Sequence, residues 1–138
     1  MAALAVAALV AGAAGCGSSS SSADQAKTNA CNAKADIASQ VQTLKGLPPT
    51  LASVDTAKTA LTKIGDDLST IQDNAAQVSG DLKQQLTDAN AQFKSQVTQI
   101  GQTITSAQSL SEAATALATA GDKLAADYHQ AFGNVSCG

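Results

Sequence analysis

Apolar and small side chains recur every three or four residues along most of this chain, from Asp24 to Phe132. This spacing places them on one face of an α-helix, and no stretch keeps the period of two that a half-buried strand requires. The repeating positions form four groups: Ala30, Ala33, Ile37, Val41 and Leu44; Leu51, Val54, Leu61, Ile64, Leu68, Ile71, Ala75 and Val78; Leu82, Leu86, Ala89, Phe93, Val97, Ile100, Ile104 and Ala107; and Leu110, Ala114, Leu117, Gly121, Leu124, Tyr128 and Phe132. The sequence therefore predicts an all-α fold.

Three groups of breaking or capping residues separate the four stretches. Pro48 and Pro49 cannot continue a helix. The run 79–81 supplies Gly80, at which one helix can stop, and an aspartate at which the next can start. Ser109 and Glu112 match a capping box, in which the serine oxygen accepts a bond from an early amide and the glutamate reaches back to the cap. The predicted helices are residues 24–46, 51–79, 81–108 and 110–133.

The connection at residues 79–81 decides between two architectures, because the apolar stripe runs almost unbroken through it. A real break gives an up-down four-helix bundle, whereas continuous helix over 51–108 gives a rod, as in an elongated helical hairpin or coiled coil. In the bundle Cys31 and Cys137 lie at the same end, able to meet the roughly 6 Å Cα separation of a disulfide. In the rod they are on the order of 20 Å apart. A Cys31–Cys137 disulfide therefore favours the bundle.

The N-terminal segment has the features of an export signal. Ala2–Gly15 contains only apolar or small side chains, and as a helix it would be about 21 Å long, too short for the roughly 30 Å core of a membrane. Cys16 follows, and the serine-rich run 17–22 predicts a disordered tether. Ordinary cleavage after the small residues 11–13 is the alternative processing route, but it leaves Cys16 as an unpaired third cysteine. Lipid on Cys16 removes the odd cysteine.

In this signal and tether the chain resembles bacterial cell-surface lipoproteins of the actinobacterial type. The resemblance rests on the apolar run, on Ala13-Ala14-Gly15-Cys16 and on the serine tail, so it covers roughly the first fifth of the chain. It implies diacylglycerol on Cys16 and attachment to the outer face of the cytoplasmic membrane. The chain then divides into a signal peptide (1–15), a lipidated cysteine with linker (16–23) and a helical bundle (24–138). Secretion without lipid is the alternative.

Candidate catalytic and metal-binding residues are few. His129 is the only histidine, and Asp127, two residues away on the same helix, does not share its face. We therefore interpret His129 as a surface residue near a helix end. Cys31, Cys137 and His129 together supply too few ligands for a zinc site, and cysteines outside the cytoplasm tend to pair. The sequence predicts no enzyme and no cofactor.

The charged residues are typical of a solvated helix surface. Asp66, Asp67 and Asp73 lack the alternating oxygen ligands and the glycine of a calcium loop. Eight lysines against eleven acidic residues give a net charge of −3, with no arginine and no basic cluster. Binding to nucleic acid requires basic residues to neutralise phosphates, so the composition argues against a nucleic-acid partner.

Glycine accompanies a core position in three of the helical stretches, at Gly65, Gly101 and Gly121. A glycine inside a helix costs about 1 kcal/mol relative to alanine. Either these glycines allow a close helix crossing or a bend that opens a cavity, or they reflect the bias toward alanine, glycine and threonine in this sequence.

Two functions from different classes agree with these features. The first is a membrane-anchored, non-catalytic lipoprotein whose bundle contacts an envelope protein or acts as a structural spacer. The alternative is a carrier of a small ligand or lipid, with a cavity between helices where the small residues glycine and alanine make the packing less dense. The oligomeric state stays open, because an apolar helical seam can close within one chain or between chains.

Overall fold

The computed structural model describes residues 22–78 and 80–137 of the 138-residue chain. The predicted signal peptide, Cys16 and most of the predicted tether therefore lie outside the described residues. These described residues form four helices, which are α1 (Ser22–Lys45), α2 (Leu51–Ala75), α3 (Asp81–Ser106) and α4 (Leu110–Phe132). The described residues contain no strand. The predicted all-α fold is confirmed.

The helix bounds differ from the predicted ones by a few residues. The first helix begins at Ser22 rather than at residue 24, so it includes the last two residues assigned to the linker. α2 ends at Ala75 rather than at 79, and α3 ends at Ser106 rather than at 108. After α2 the amides of Gln77 and Val78 donate to the Asn74 carbonyl oxygen, 3.0 and 3.3 Å away. The chain thus turns here although the apolar stripe continues.

Consecutive helices pack against each other, and α4 closes the arrangement on α1, while α2 and α4 also touch across the diagonal. This is the predicted up-down four-helix bundle. The alternative of a rod over residues 51–108 is wrong. The chain reverses before α3, where Gly80 has a φ of 72°, a left-handed conformation that glycine adopts without the steric cost of a Cβ atom.

Side-chain caps fix the beginnings of α2 and α4. Thr50 precedes α2, and its hydroxyl oxygen accepts a bond from the Ser53 amide at 3.4 Å. Ser109 precedes α4 and accepts from the Glu112 amide at 3.1 Å, as predicted. The Glu112 carboxylate reaches back one residue further than the capping-box prediction, since it accepts from the Gln108 amide at 3.1 Å.

The core consists of the predicted helix faces, and its largest fully buried side chains are Phe93, Phe132, Ile37, Ile64, Leu68, Ile71, Leu86, Leu117, Leu124 and Val41. Phe93 of α3 meets two aromatic rings of α4, at centroid distances of 5.8 Å to Tyr128 and 5.6 Å to Phe132. These edge-on contacts join α3 to α4 near the C-terminal end of α4. Leu51 and Leu110 belong to the repeating apolar groups of the sequence but are exposed, at 59% and 54%.

Only one of the three helical glycines marks a close crossing. A Cβ atom on Gly121 would lie 3.0 Å from both the Leu44 carbonyl oxygen and the Lys45 Cα atom of α1. At Gly65 and Gly101 a Cβ atom would meet nothing within 4 Å. Gly121 therefore lets α4 approach the backbone at the end of α1. No close contact requires glycine at the other two positions, which agree with the bias of the sequence toward alanine, glycine and threonine.

Candidate functional site

A disulfide joins Cys31 of α1 to Cys137, which follows α4, with Cα atoms 5.7 Å apart and a sequence separation of 106. The predicted Cys31–Cys137 pair is therefore confirmed. Because helices α1 and α4 run antiparallel, the start of α1 and the end of α4 lie at one end of the bundle. We call this the disulfide end, and the end that carries the connections 46–50 and 107–109 the distal end.

The C-terminal tail is fixed to α1 by more than the disulfide. Val135 is 4% exposed, and its carbonyl oxygen accepts a bond from the Lys34 ammonium group at 2.8 Å. The Tyr128 hydroxyl donates to the Lys34 carbonyl oxygen at 3.0 Å. One residue of α1 thus holds both α4 and the tail that follows it.

Burial raises the pKa of Tyr128 above its ordinary value of 10.0, because a buried phenolate loses hydration. Tyr128 is the only tyrosine, so we expect an absorbance titration of the folded protein to show ionisation at higher pH than in the urea-unfolded chain. Since the folded state favours the neutral phenol, the tyrosine contribution to stability is complete below about pH 10 and is lost as pH rises through the folded pKa. Coincident titrations of the folded and unfolded protein would contradict this prediction.

The distal end carries the most exposed large apolar side chains among the described residues. Leu51 begins α2, Leu110 begins α4, and both line a shallow depression of about 290 Å³ together with Pro49 and Ala114. Scattered exposed leucines are ordinary on a protein surface. These two differ because they share one depression at one end of the bundle.

A groove of about 480 Å³ lies between α3 and α4 toward the same end. Small side chains line most of it, including Ala107, Ala116 and Ala120. Lys123 stands at its edge, but its ammonium group already contacts the Asp127 carboxylate at 2.7 Å and the Gln96 side-chain oxygen at 3.0 Å. The groove is thus mainly an apolar surface, and the ammonium group of Lys123 at its edge already has two hydrogen-bond partners.

A second depression, of about 430 Å³, lies between α2 and α3 toward the disulfide end. Lys83, Thr87, Asn90 and Lys94 line it from α3, and Gln72 lines it from α2. Asn90 is 4% exposed, and its side-chain oxygen has no hydrogen-bond partner. A buried polar atom without a partner is rare in folded proteins. We call this surface the α2–α3 depression.

The three aspartates that the sequence analysis interprets as solvated helix surface do not all lie together. Asp66 and Asp67 lie beside Asp36 and Lys63 at the surface between α1 and α2, whereas Asp73 does not line that depression. Burial raises the pKa of Asp67, and the Asp36 and Asp66 carboxylates raise it further, against the opposite effect of Lys63. No group of three His, Cys, Asp or Glu side chains that could hold a metal ion occurs in the described part of the chain.

His129 is the last of the residues considered in the sequence analysis as catalytic or metal-binding candidates. His129 is exposed near the end of α4, as predicted, and its ring lies beside that of Tyr128 at a centroid distance of 5.8 Å.

Among the helices described, none is long and apolar enough to cross a membrane. No protein-family model, curated protein or solved structure matches this chain.

Sequence reasoning missed the two most informative surfaces. Asn90 follows Ala89 and precedes Phe93 on the core face of α3, so a polar residue at a core position was the available signal. The available signal for Leu51 and Leu110 was their position as the first residue of a predicted helix, because helical period alone gives the face of a residue but not its height in the bundle.

Proposed function

We propose that this chain is a non-catalytic envelope lipoprotein, held at the outer face of the cytoplasmic membrane through lipid on Cys16, whose distal end contacts another protein. The sequence Ala13-Ala14-Gly15-Cys16 supports the anchor. The pairing of Cys31 with Cys137 also supports it, because that disulfide leaves Cys16 as the one cysteine without a partner in the chain.

The positions of the two ends set the geometry of this proposal. Ser22 begins α1 at the disulfide end, and a flexible chain of six residues, the separation of Cys16 and Ser22, spans about 13 Å. An anchor on Cys16 would keep the disulfide end near the membrane. Helices of 23–26 residues would then hold the distal end about 35 Å further out, at 1.5 Å per residue.

The exposed pair Leu51 and Leu110 carries the interaction part of the proposal. Burying an exposed leucine against an apolar partner surface contributes about 25 cal/mol per Å² of area removed from water. The two leucines lie close enough to line one depression, so a single partner surface can cover both. We infer a protein partner that presents an apolar side chain to this depression.

The anchor is tested by the intact mass of natively expressed protein from the membrane fraction, with and without reductant, followed by peptide mapping. We expect a chain that begins at acylated Cys16, gains two hydrogens on reduction and yields a linked Cys31–Cys137 peptide. Cys16→Ala is the matched control, and it should release the protein from membranes. An unlipidated wild-type chain in the culture medium would instead support the secreted alternative.

The distal contact is tested by photo-crosslinking in whole cells, with the crosslinker placed at position 51 or 110. We expect one partner to be captured from both positions, and Leu51→Ser/Leu110→Ser to reduce recovery of the complex at least about tenfold, equivalent to about 1.4 kcal/mol. A crosslinker at exposed Gln130, near the disulfide end, is the control. Equal capture from position 130, or capture unaffected by the serine variants, would contradict the proposal.

The alternative function, a carrier of a small ligand or lipid, is favoured by one observation. The α2–α3 depression has a volume of about 430 Å³ and is lined by Lys83 and Lys94, with no acidic residue among the described residues that line it. The α3–α4 groove offers less for a polar ligand, since its lysine already has two partners.

A further inference from the structure

The groove between α3 and α4 continues into the depression at the distal end, because Thr115 lines both. We propose that an amphipathic helix of the envelope partner lies along this groove, with a lysine or arginine of its last turn beside Glu112. This inference rests on the proposed distal contact and names the element of the partner that makes it. The groove has a volume of about 480 Å³ and follows α4 from Glu112 to Lys123, which is about 17 Å at 1.5 Å per residue.

The groove favours apolar side chains, because its hydroxyl donors already have acceptors. Thr103, Thr115 and Thr119 each donate to the carbonyl oxygen four residues earlier in the same helix, at 2.9, 2.9 and 3.3 Å. The Ser106 hydroxyl donates to the Thr103 carbonyl oxygen at 3.4 Å. Apart from Glu112 and Lys123 at its two ends, the other lining residues are Ile100, Ala107, Ala116 and Ala120. Apolar side chains can therefore cover the groove without leaving a hydroxyl donor unpaired.

A helix fits this groove better than an extended segment. Both walls are α-helices, so neither offers the free strand edge to which an extended peptide adds. A helix satisfies its own backbone groups and requires only side-chain contacts from the groove. The lining positions of α4 recur every three or four residues, which is the spacing of a helix–helix seam; they are 112, 115, 116, 119, 120 and 123.

Charge sets the direction of the partner helix. Glu112 lines the distal end of the groove, and no described lysine lies within ion-pair distance of its carboxylate. Lys123, at the other end, is already paired with Asp127 at 2.7 Å. The unneutralised charge is thus negative and distal, where it attracts a cation, which an acyl chain does not carry. Basic residues are favoured in the last turn of a helix, so the partner helix ends near Glu112, runs antiparallel to α4 and continues toward Leu51 and Leu110.

Crosslink spacing tests the helix and its direction. We would place a photo-crosslinker at exposed Thr119 of the full chain in whole cells, and compare the linked partner peptides with those obtained from position 110. These positions are about 14 Å apart along α4. We expect the same partner from both, with linked residues about nine apart in its sequence, whereas an extended segment would give about four. The residue linked to position 119 should precede the residue linked to position 110.

Three variants test the groove and its charge. Ala116→Glu should reduce recovery of the complex at least about tenfold, because it places an unpaired charge in the seam. Ala118→Glu is the matched control, since Ala118 is exposed on the same helix but does not line the groove, and it should have no effect. Glu112→Gln keeps an acceptor for the Gln108 amide and removes only the charge, so it should weaken the complex about two- to fivefold.

The outcomes separate this proposal from the distal contact. Linked residues about four apart, or recovery unchanged by Ala116→Glu while Leu51→Ser/Leu110→Ser still reduces it, would overturn the helix and leave the distal contact intact. Phospholipid rather than protein linked to position 119 would assign the groove to an acyl chain and likewise overturn the helix. Failure to capture a protein from positions 51, 110 and 119 would overturn both proposals.

Discussion

Cys31→Ala/Cys137→Ala should lower the free energy of unfolding by about 3–5 kcal/mol, the upper part of the range for natural disulfides. The disulfide closes a loop with a sequence separation of 106, and the chain-entropy cost of closing a loop rises with its length. A loss of this size is comparable to the whole stability of a small domain. Urea denaturation of the parent and the double variant under identical conditions measures it.

Two controls separate the disulfide from the other effects of substitution. The parent protein with reductant should unfold at the same urea concentration as the double variant, because both lack the same covalent bond. Cys16→Ala should leave the midpoint unchanged, since Cys16 takes no part in the pair. If the double variant unfolds at the midpoint of the oxidised parent, the disulfide does not stabilise the bundle.

Gly121→Val should lower the free energy of unfolding by about 2–3 kcal/mol, the usual cost of overpacking a close contact. Even the Cβ atom would lie 3.0 Å from backbone atoms of Leu44 and Lys45. Backbone cannot move aside as the end of a flexible side chain can, so α4 would have to separate from α1. Thermal or urea unfolding of the variant measures the loss.

Gly65→Ala and Gly101→Ala are the matched controls, because a Cβ atom at either position meets nothing within 4 Å. Both should raise the free energy of unfolding by about 0.5–1 kcal/mol, since alanine favours the helix over glycine. The opposite signs at position 121 and at the two controls separate a packing effect from helix propensity. Destabilisation of all three variants to the same extent would contradict this interpretation of Gly121.

Helical period and breakers were sufficient to predict four helices and the faces that meet in the core. The pair Cys31 and Cys137 then selected the bundle over the rod, because only the bundle brings them together. These inferences worked because spacing along a helix fixes direction around its axis. The turn after Ala75 was placed too late, because Val78 is buried and continues the apolar pattern outside the helix.

The surfaces that matter for binding depend on height along the bundle, which spacing does not encode. Leu51 and Leu110 follow the apolar pattern but begin their helices at the distal end, where no neighbouring helix covers them. The contact of Gly121 with the end of α1 depends on how two separate helices are offset. Asn90 occupies a core position, yet the depression beside it forms only when α2 packs on α3.

The disulfide also changes what a protease can achieve. All three connections between helices lie in the segment from Cys31 to Cys137. A single cut in any of them opens the chain, but the two pieces stay joined through sulfur and both remain linked to the N-terminal segment. The bundle can therefore be nicked at a connection without shedding a fragment, and two cuts or a reductant are needed to release one.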